Sequence, residues 1–159
     1  MLKCLTLISA LLLSGTAYAS DSGCFASGEA YMVAKFGSAY RDDENLKMRK
    51  QRYGKQDYLL ASDTTSGTNS PITLLLQQPG KGLCEVLTTP PVATLKATKY
   101  DKHGRPIAFF AKDQGTTSRE ITYKWDSSSN QFRADGCKEV TWTKSKSATK
   151  VVACDSVLQ

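Results

Sequence analysis

The segment TKYDKHGRPIAF, residues 98–109, decides the fold class, because it has the composition of two β-strands joined by a tight turn. Asp101 is placed to cap the turn through its carboxylate, and Gly104 is placed to adopt a positive φ. Aromatic residues flank the turn, with Tyr100 before it and Phe109 after it. The segment therefore predicts an antiparallel β-hairpin.

This hairpin motif resembles one unit of the YD-repeat family, the Y-D-x-x-G-R unit of Rhs-type and teneurin shells. The matching residues are YD at 100–101 and GR at 104–105. A looser copy follows at residues 123–132, where WD at 125–126 replaces YD and Asn130 is expected to adopt a left-handed turn conformation. The resemblance implies the hairpin shape for this chain. We carry over neither a shell nor a toxin function.

Outward from this hairpin, the chain consists of short β-branched and aromatic runs separated by clusters of Gly, Ser, Thr and Asp. This spacing predicts a mainly β domain of antiparallel sheets, folded as a sandwich, a small barrel or propeller-like sheets. One short surface helix is predicted over residues 42–52, where acids precede bases in the order that the helix dipole favours, and a mobile loop is the alternative. The predicted strands are residues 30–36, 57–61, 72–77, 84–87, 93–100, 107–111, 120–125, 131–133, 140–143 and 150–154.

The amino-terminal residues have the features of a secretory signal. Lys3 supplies a positive n-region, residues 5–13 an apolar h-region, and residues 17–19 (AYA) the small-x-small pattern of a cleavage site. We therefore predict a signal peptide over residues 1–19, removed to leave a single disulfide-stabilised β domain over residues 20–159. The alternatives are an uncleaved anchor and lipidation at Cys24.

The predicted location is the periplasm, with the extracellular space as the alternative. The cleavage pattern and the lack of an N-x-S/T glycosylation acceptor favour bacterial export over a eukaryotic secretory route. Because spanning a bilayer takes roughly 20 apolar residues, no transmembrane segment is predicted.

Signal removal would leave four of the five cysteines, namely Cys24, Cys84, Cys137 and Cys154. An even number in an exported chain predicts two disulfides. Cys137 and Cys154 flank two β-rich runs, and they face one another in a symmetric hairpin that pairs Trp142 with Thr149. The second bridge, Cys24–Cys84, then follows by elimination.

No catalytic residue, metal site or cofactor is predicted. A single histidine excludes metal cages built on several histidines, and a nucleophilic cysteine would need a nearby base. The S-x-x-K match at residues 147–150 falls on a predicted hairpin strand, whereas that dyad requires the start of a helix. A small hydrolase whose carboxylates come from distant positions remains an alternative.

The charge balance points to an acidic or anionic partner. The chain has 21 Lys+Arg against 15 Asp+Glu and a formal net charge of +6. Basic and aromatic residues alternate on the predicted strands, so that Tyr123 and Trp125 would face the core and Lys124 the solvent. A cationic sheet would attract an acidic protein or an anionic glycan, while export disfavours nucleic acid.

We therefore predict an exported protein-binding module, an inhibitor or immunity protein that blocks a cell-wall hydrolase or a secreted toxin. An envelope or glycan-binding component is the alternative. Blocking a cleft takes a rigid loop and a contact area of about 800 Å² per side. The loops expected to insert are residues 63–69, 80–83 and 114–119. The predicted partner-binding residues are His103, Arg105, Lys124, Arg119, Asp63 and Asn69.

Overall fold

The computed structural model describes residues 23–65, 67–144 and 146–158. The predicted signal peptide, residues 1–19, lies outside the described residues. The helix α1 spans Gly28–Phe36, and 3-10 helices span Ser38–Asp42 and Cys154–Ser156. The strands are β1 Cys24–Phe25, β2 Leu46–Tyr53, β3 Gln56–Asp63, β4 Ile72–Gln78, β5 Gly82–Thr88, β6 Thr94–Tyr100, β7 Pro106–Lys112, β8 Thr117–Asp126, β9 Gln131–Trp142 and β10 Ser147–Val152.

The strands form two antiparallel sheets, each built from one half of the chain. The first sheet has the order β1-β5-β4-β3-β2, and the second has the order β10-β9-β8-β7-β6. One hydrophobic core contains side chains from both sheets, including Leu74 and Val86 from the first and Phe109 and Ile121 from the second. The mainly β prediction is confirmed, and of the three architectures considered the face-to-face sandwich fits.

Phe109 lies at the centre of this core. Its side chain is fully buried, and its ring meets those of Tyr53, Tyr58 and Phe132 edge-on, with centroids 5.0, 6.2 and 4.8 Å away. Edge-to-face pairs of this kind contribute about 0.5–1.5 kcal/mol each beyond the area that they bury. Since Tyr53 and Tyr58 belong to the first sheet, these rings join the two sheets.

Helix α1 covers the outer face of the first sheet. Tyr31 and Met32 pack against Leu75, Leu83 and neighbouring apolar residues in a second cluster. Lys35 at the end of the helix reaches Glu85 of β5, with Nζ 2.8 Å from Oε1. No helix in the described part of the chain covers the outer face of the second sheet.

The predicted strand over residues 30–36 is wrong, because this segment is most of helix α1. The Ser27 hydroxyl caps the helix by accepting a hydrogen bond from the Ala30 N–H at 3.1 Å. Gly37 ends it with a φ of 76° and donates its N–H to the Val33 carbonyl. These two end signals outweigh the β propensity of the residues between them.

The predicted surface helix over residues 42–52 is also wrong, because most of the segment forms strand β2. Leu46 and Met48 alternate with charged residues, and both pack into the cluster beneath helix α1. A period of two is the signature of a strand. The strand lies at the edge of its sheet, where Lys and Arg side chains discourage pairing with other molecules.

Both predicted disulfides are confirmed. Cys24 and Cys84 face one another across β1 and β5 with their Cα atoms 3.9 Å apart. Cys137 and Cys154 have their Cα atoms 5.2 Å apart, but the predicted hairpin register is wrong. Cys137 lies opposite Val152, because a tighter turn pairs Trp142 with Ser147. Cys154 therefore forms its bridge from the 3-10 helix that follows β10.

Candidate functional site

The connections between strands gather at two opposite ends of the sandwich. A strand of seven residues separates these ends by roughly 20 Å, at about 3.3 Å per residue. We call one the loop end, formed by residues 63–65, 67–70, 113–117, 142–144 and 146. We call the other the turn end, formed by the hairpin turns at residues 54–55, 79–81, 101–105 and 127–130.

Two loops that the sequence analysis expected to insert into a partner lie side by side at the loop end. The Asn69 side chain donates to the Gln114 carbonyl at 3.0 Å and accepts from the Gln114 N–H at 2.8 Å. The two hydrogen bonds resemble those between paired β-strands, and they join segments that are far apart in sequence. The third loop, residues 80–83, lies at the turn end.

Buried charge stiffens the same end. Asp113 is 7% exposed and accepts hydrogen bonds from the Arg119 backbone N–H at 2.5 Å and the Arg119 Nε at 2.6 Å. Asp63 accepts from the Thr65 N–H at 2.9 Å, and hydrogen bonds from Thr65 lower the pKa of Asp63. Both carboxylates thus fix the start of a loop.

Trp142 stands beside these loops with 53% of its surface exposed. Its backbone N–H donates to the Thr116 carbonyl at 2.9 Å, and the Lys112 ammonium lies 5.4 Å from its ring centroid. Lys144 and Lys146 are exposed in the turn that follows. Lys112 is itself paired with Glu120, with its Nζ 3.1 Å from the Glu120 Oε1. The loop end therefore combines an exposed aromatic ring, two exposed lysines and two loops joined by the Asn69–Gln114 hydrogen bonds.

The hairpin turn after β6 has the geometry expected from the sequence. The Asp101 carboxylate accepts from the N–H groups of His103 and Arg105, both at 2.9 Å, and pairs with the Arg105 guanidinium at 2.8 Å. The hydrogen bond from the Arg105 N–H is the main reason that the pKa of Asp101 is lowered. Gly104 has a φ of 78°, which confirms the role expected of it.

The turn after β8 is built in the same way around Asp126. Its carboxylate accepts hydrogen bonds from the Ser128 and Ser129 hydroxyls at 2.7 and 2.8 Å, and pairs with Arg133 at 3.2 Å. The Ser128 and Ser129 hydrogen bonds lower the pKa of Asp126 to about 2. Asn130 has a φ of 53°, so the left-handed residue predicted in this turn is confirmed.

A cleft opens at the turn end, where the two sheets part. It consists of adjoining cavities of about 150 and about 370 Å³. Four residues line both cavities, namely Gln56, Leu76, Arg105 and Trp125. The second cavity also reaches Gln78, Lys81 and Asn130. The cleft therefore draws on strands and turns from both sheets.

The six predicted partner-binding residues divide between the two ends. Asp63 and Asn69 belong to the loop end, and Arg119 lies next to it on β8, where it pairs with Asp113. His103 and Arg105 share one turn at the turn end. Lys124 lies apart on the outer face of the second sheet, where its Nζ pairs with Asp135 at 2.7 Å. Tyr123 on the same strand is buried, as the alternation predicted.

Sequence reasoning missed the residues that make the cleft. On β3, Gln56 faces the core two residues before Tyr58. On β4, Gln78 faces the core two residues after Leu76. Amides therefore replace apolar side chains at the ends of both strands. An amide at a strand position that should face the core could have indicated this cleft from the sequence. Trp142 was missed as a surface residue because aromatic residues on strands are usually buried.

The depressed pKa of Asp126 predicts how stability depends on pH. An ordinary aspartate has a pKa near 3.9, so the lower pKa of Asp126 means that folding favours its ionised form. Its contribution to the free energy of unfolding is complete above about pH 4 and is lost as the pH falls through about 2. We expect Asp126→Asn to lower the melting temperature at pH 7, and the difference from wild type to shrink between about pH 4 and 2. Circular dichroism melts would measure it.

Asp42→Asn is the matched control, since the Asp42 side chain is exposed and has no hydrogen bond within the described residues. A melting-temperature difference between Asp126→Asn and wild type that stayed constant down to pH 2 would contradict the assignment.

In the described ranges, no three His, Cys, Asp or Glu side chains are grouped as a metal site would require. None of the helices in those ranges has the length and apolar character needed to cross a membrane. Comparison with protein-family models, curated proteins and solved structures finds no match for this chain.

Proposed function

We propose that the protein is an exported binding module that docks a protein partner through its loop end, as an inhibitor or immunity protein of a cell-wall hydrolase or secreted toxin would. The observation that carries the proposal is the reciprocal Asn69–Gln114 pair, which holds two loops together before any partner arrives. Loops that are already ordered lose less conformational entropy on binding. A rigid loop surface is what occlusion of a cleft requires.

Trp142 supports the same surface, because binding energy concentrates at aromatic residues near the centre of an interface. Its indole is half-exposed, with the Lys112 ammonium 5.4 Å from the ring centroid, and its backbone is held by the hydrogen bond to the Thr116 carbonyl. The exposed lysines at positions 144 and 146 favour an acidic partner. Complementary charge of this kind raises the association rate and excludes wrong partners.

We expect Trp142→Ala to weaken binding of the partner at least about tenfold, a loss of about 1.4 kcal/mol or more. The partner would be captured from an envelope extract by the immobilised protein and identified, and its affinity for each variant would then be measured with purified components. Val33→Ala is the matched control, because Val33 is an exposed apolar residue on helix α1.

Two further readouts separate docking from blocking. Asn69→Ala removes the link between the loops and should mainly raise the dissociation rate, while Lys144→Glu with Lys146→Glu should slow association with an acidic partner. The partner's own activity should fall to zero at one equivalent of the protein. Equal affinity for Trp142→Ala and wild type would exclude the loop end, and undiminished activity of the bound partner would exclude blocking.

A further inference from the structure

The cleft at the turn end lies opposite the docking surface proposed above and needs its own explanation. The larger of its two cavities, about 370 Å³, falls within the roughly 300–1,000 Å³ of small-ligand sites. Sheet interiors normally close with apolar side chains, yet Gln56 and Gln78 occupy core-facing positions beside Tyr58 and Leu76. A polar ligand would account for amides in these positions.

The floor of the cleft offers a flat aromatic surface. Trp125 lines both cavities and is half-buried, and the Phe132 ring meets it edge-on at a centroid distance of 5.0 Å. That contact fixes the indole plane before a ligand binds. A rigid aromatic face suits a ligand that is apolar on its flat side and polar around its rim.

The walls of the cleft carry groups that both donate and accept hydrogen bonds. The Gln78 and Asn130 side chains make no hydrogen bond within the described residues, and they line the same cavity as Gln56. Each amide offers two donors and an acceptor, which matches the hydroxyl group, itself both donor and acceptor. Several amides around an aromatic platform match the rim of hydroxyls around a sugar ring.

The charge of the cleft adds a second element of recognition. The Asp101 carboxylate in the cleft is already bound within its own turn. Arg105 binds this carboxylate through Nε and Nη2, so its Nη1 is left for a ligand. Lys81 lines the larger cavity and makes no ion pair within the described part of the chain. Arg105 and Lys81 are thus two cations in a cleft whose carboxylate is already bound. They favour a ligand that carries a carboxylate.

Other ligand classes fit less well. A purely apolar molecule would cover the Gln78 and Asn130 amides and leave them without hydrogen-bond partners, which costs about 1–3 kcal/mol for each group. Nucleic acid is held mainly by cations that neutralise successive phosphates, whereas amides are the commoner polar group here. The geometry points to an acidic oligosaccharide, stacked on Trp125 and hydrogen-bonded by Gln56, Gln78 and Asn130, with its carboxylate held by Arg105 and Lys81.

The test compares two soluble probes by isothermal titration calorimetry. They are a hexamer of galacturonic acid, with a carboxylate on each unit, and chitohexaose, which is uncharged. We expect the galacturonate hexamer to bind at least about tenfold more tightly, and Trp125→Phe and Asn130→Gly each to weaken it about tenfold. Asn130→Gly removes the amide and keeps the positive φ, which glycine adopts freely.

Lys81→Gln should remove most of the preference for the charged probe. Lys96→Gln is its matched control, since Lys96 is exposed on the outer face of the second sheet, with its Nζ 5.2 Å from the Phe110 ring centroid. In a Trp142→Phe background, Trp125 is the remaining tryptophan, and its fluorescence should shift on titration. Melting temperatures near wild type would show that the variants are folded.

The proposal is overturned if neither probe binds at millimolar concentration. It is also overturned if both bind equally, because the carboxylate would then have no role. A site in the cleft would also be excluded if Trp125→Phe and Asn130→Gly left the affinity unchanged. The same holds if Lys96→Gln lowered the affinity as much as Lys81→Gln, because the probe would then be attracted by surface charge alone. The loop-end variants Trp142→Ala and Asn69→Ala should bind both probes like wild type.

Discussion

Phe109→Ala should lower the free energy of unfolding by about 3–5 kcal/mol, the usual range for removing a buried phenylalanine. The side chain is fully buried and contacts three other aromatic rings. Its loss would leave a cavity at the point where the two sheets meet. Since domains of this size are typically stable by about 5–15 kcal/mol, this loss would be a large share of the total stability.

The adjacent residue provides the control. Phe110 has the same side chain but points to the outer face of the second sheet, where it is half-buried beside Lys96. Phe110→Ala should cost about 1 kcal/mol, mostly through partial burial and the contact with the lysine. Urea unfolding followed by tryptophan fluorescence would compare the two. Equal losses would contradict the assignment of inner and outer faces on β7.

Replacing Cys24 and Cys84 together by alanine should lower the free energy of unfolding by about 4 kcal/mol. The bridge closes a loop with a sequence separation of 60 residues, and its removal restores conformational entropy to the unfolded chain. The structure adds a local effect. The two residues of β1 attach the start of helix α1 to β5, so the helix should loosen more than the sandwich core.

Hydrogen exchange provides the measurement that separates these effects. Amides of residues 28–36 should exchange faster relative to those of β7 and β8 in the double variant than in wild type. The Cys137→Ala, Cys154→Ala double variant is the matched control, with an expected loss of about 3 kcal/mol and no selective effect on helix α1. Unchanged relative protection of the helix would contradict the local role of the first bridge.

Much of the strand content could be predicted from the sequence, because short β-branched runs between turn residues are a local signal. The errors arose where two local signals competed. Residues 30–36 favour a strand by composition, but the Ser27 cap and Gly37 stop make them a helix. In residues 42–52 the charge order favoured a helix, while burial of Leu46 and Met48 beneath helix α1 required a strand.

The candidate sites show the same division between local and distant information. The turns around Asp101 and Asn130 could be predicted, since each is set by hydrogen bonds or a φ angle within a few residues. The Asn69–Gln114 pair spans 45 residues, and the cleft joins four hairpin ends. Such long-range contacts depend on how the two sheets pack, which no local sequence pattern predicts.

The division of the chain into two sheets has a consequence for the order of folding. Strands β1–β5 complete one sheet before the chain crosses to the other through residues 89–93, and the described strands never return. Each disulfide joins cysteines from the same half of the chain, Cys24 to Cys84 and Cys137 to Cys154. A chain emerging amino terminus first can therefore pair its strands and oxidise its first cysteines before the second half is available. Docking of the two halves through Phe109 then remains as the step with the longest-range contacts, and until it occurs both apolar faces are open to aggregation.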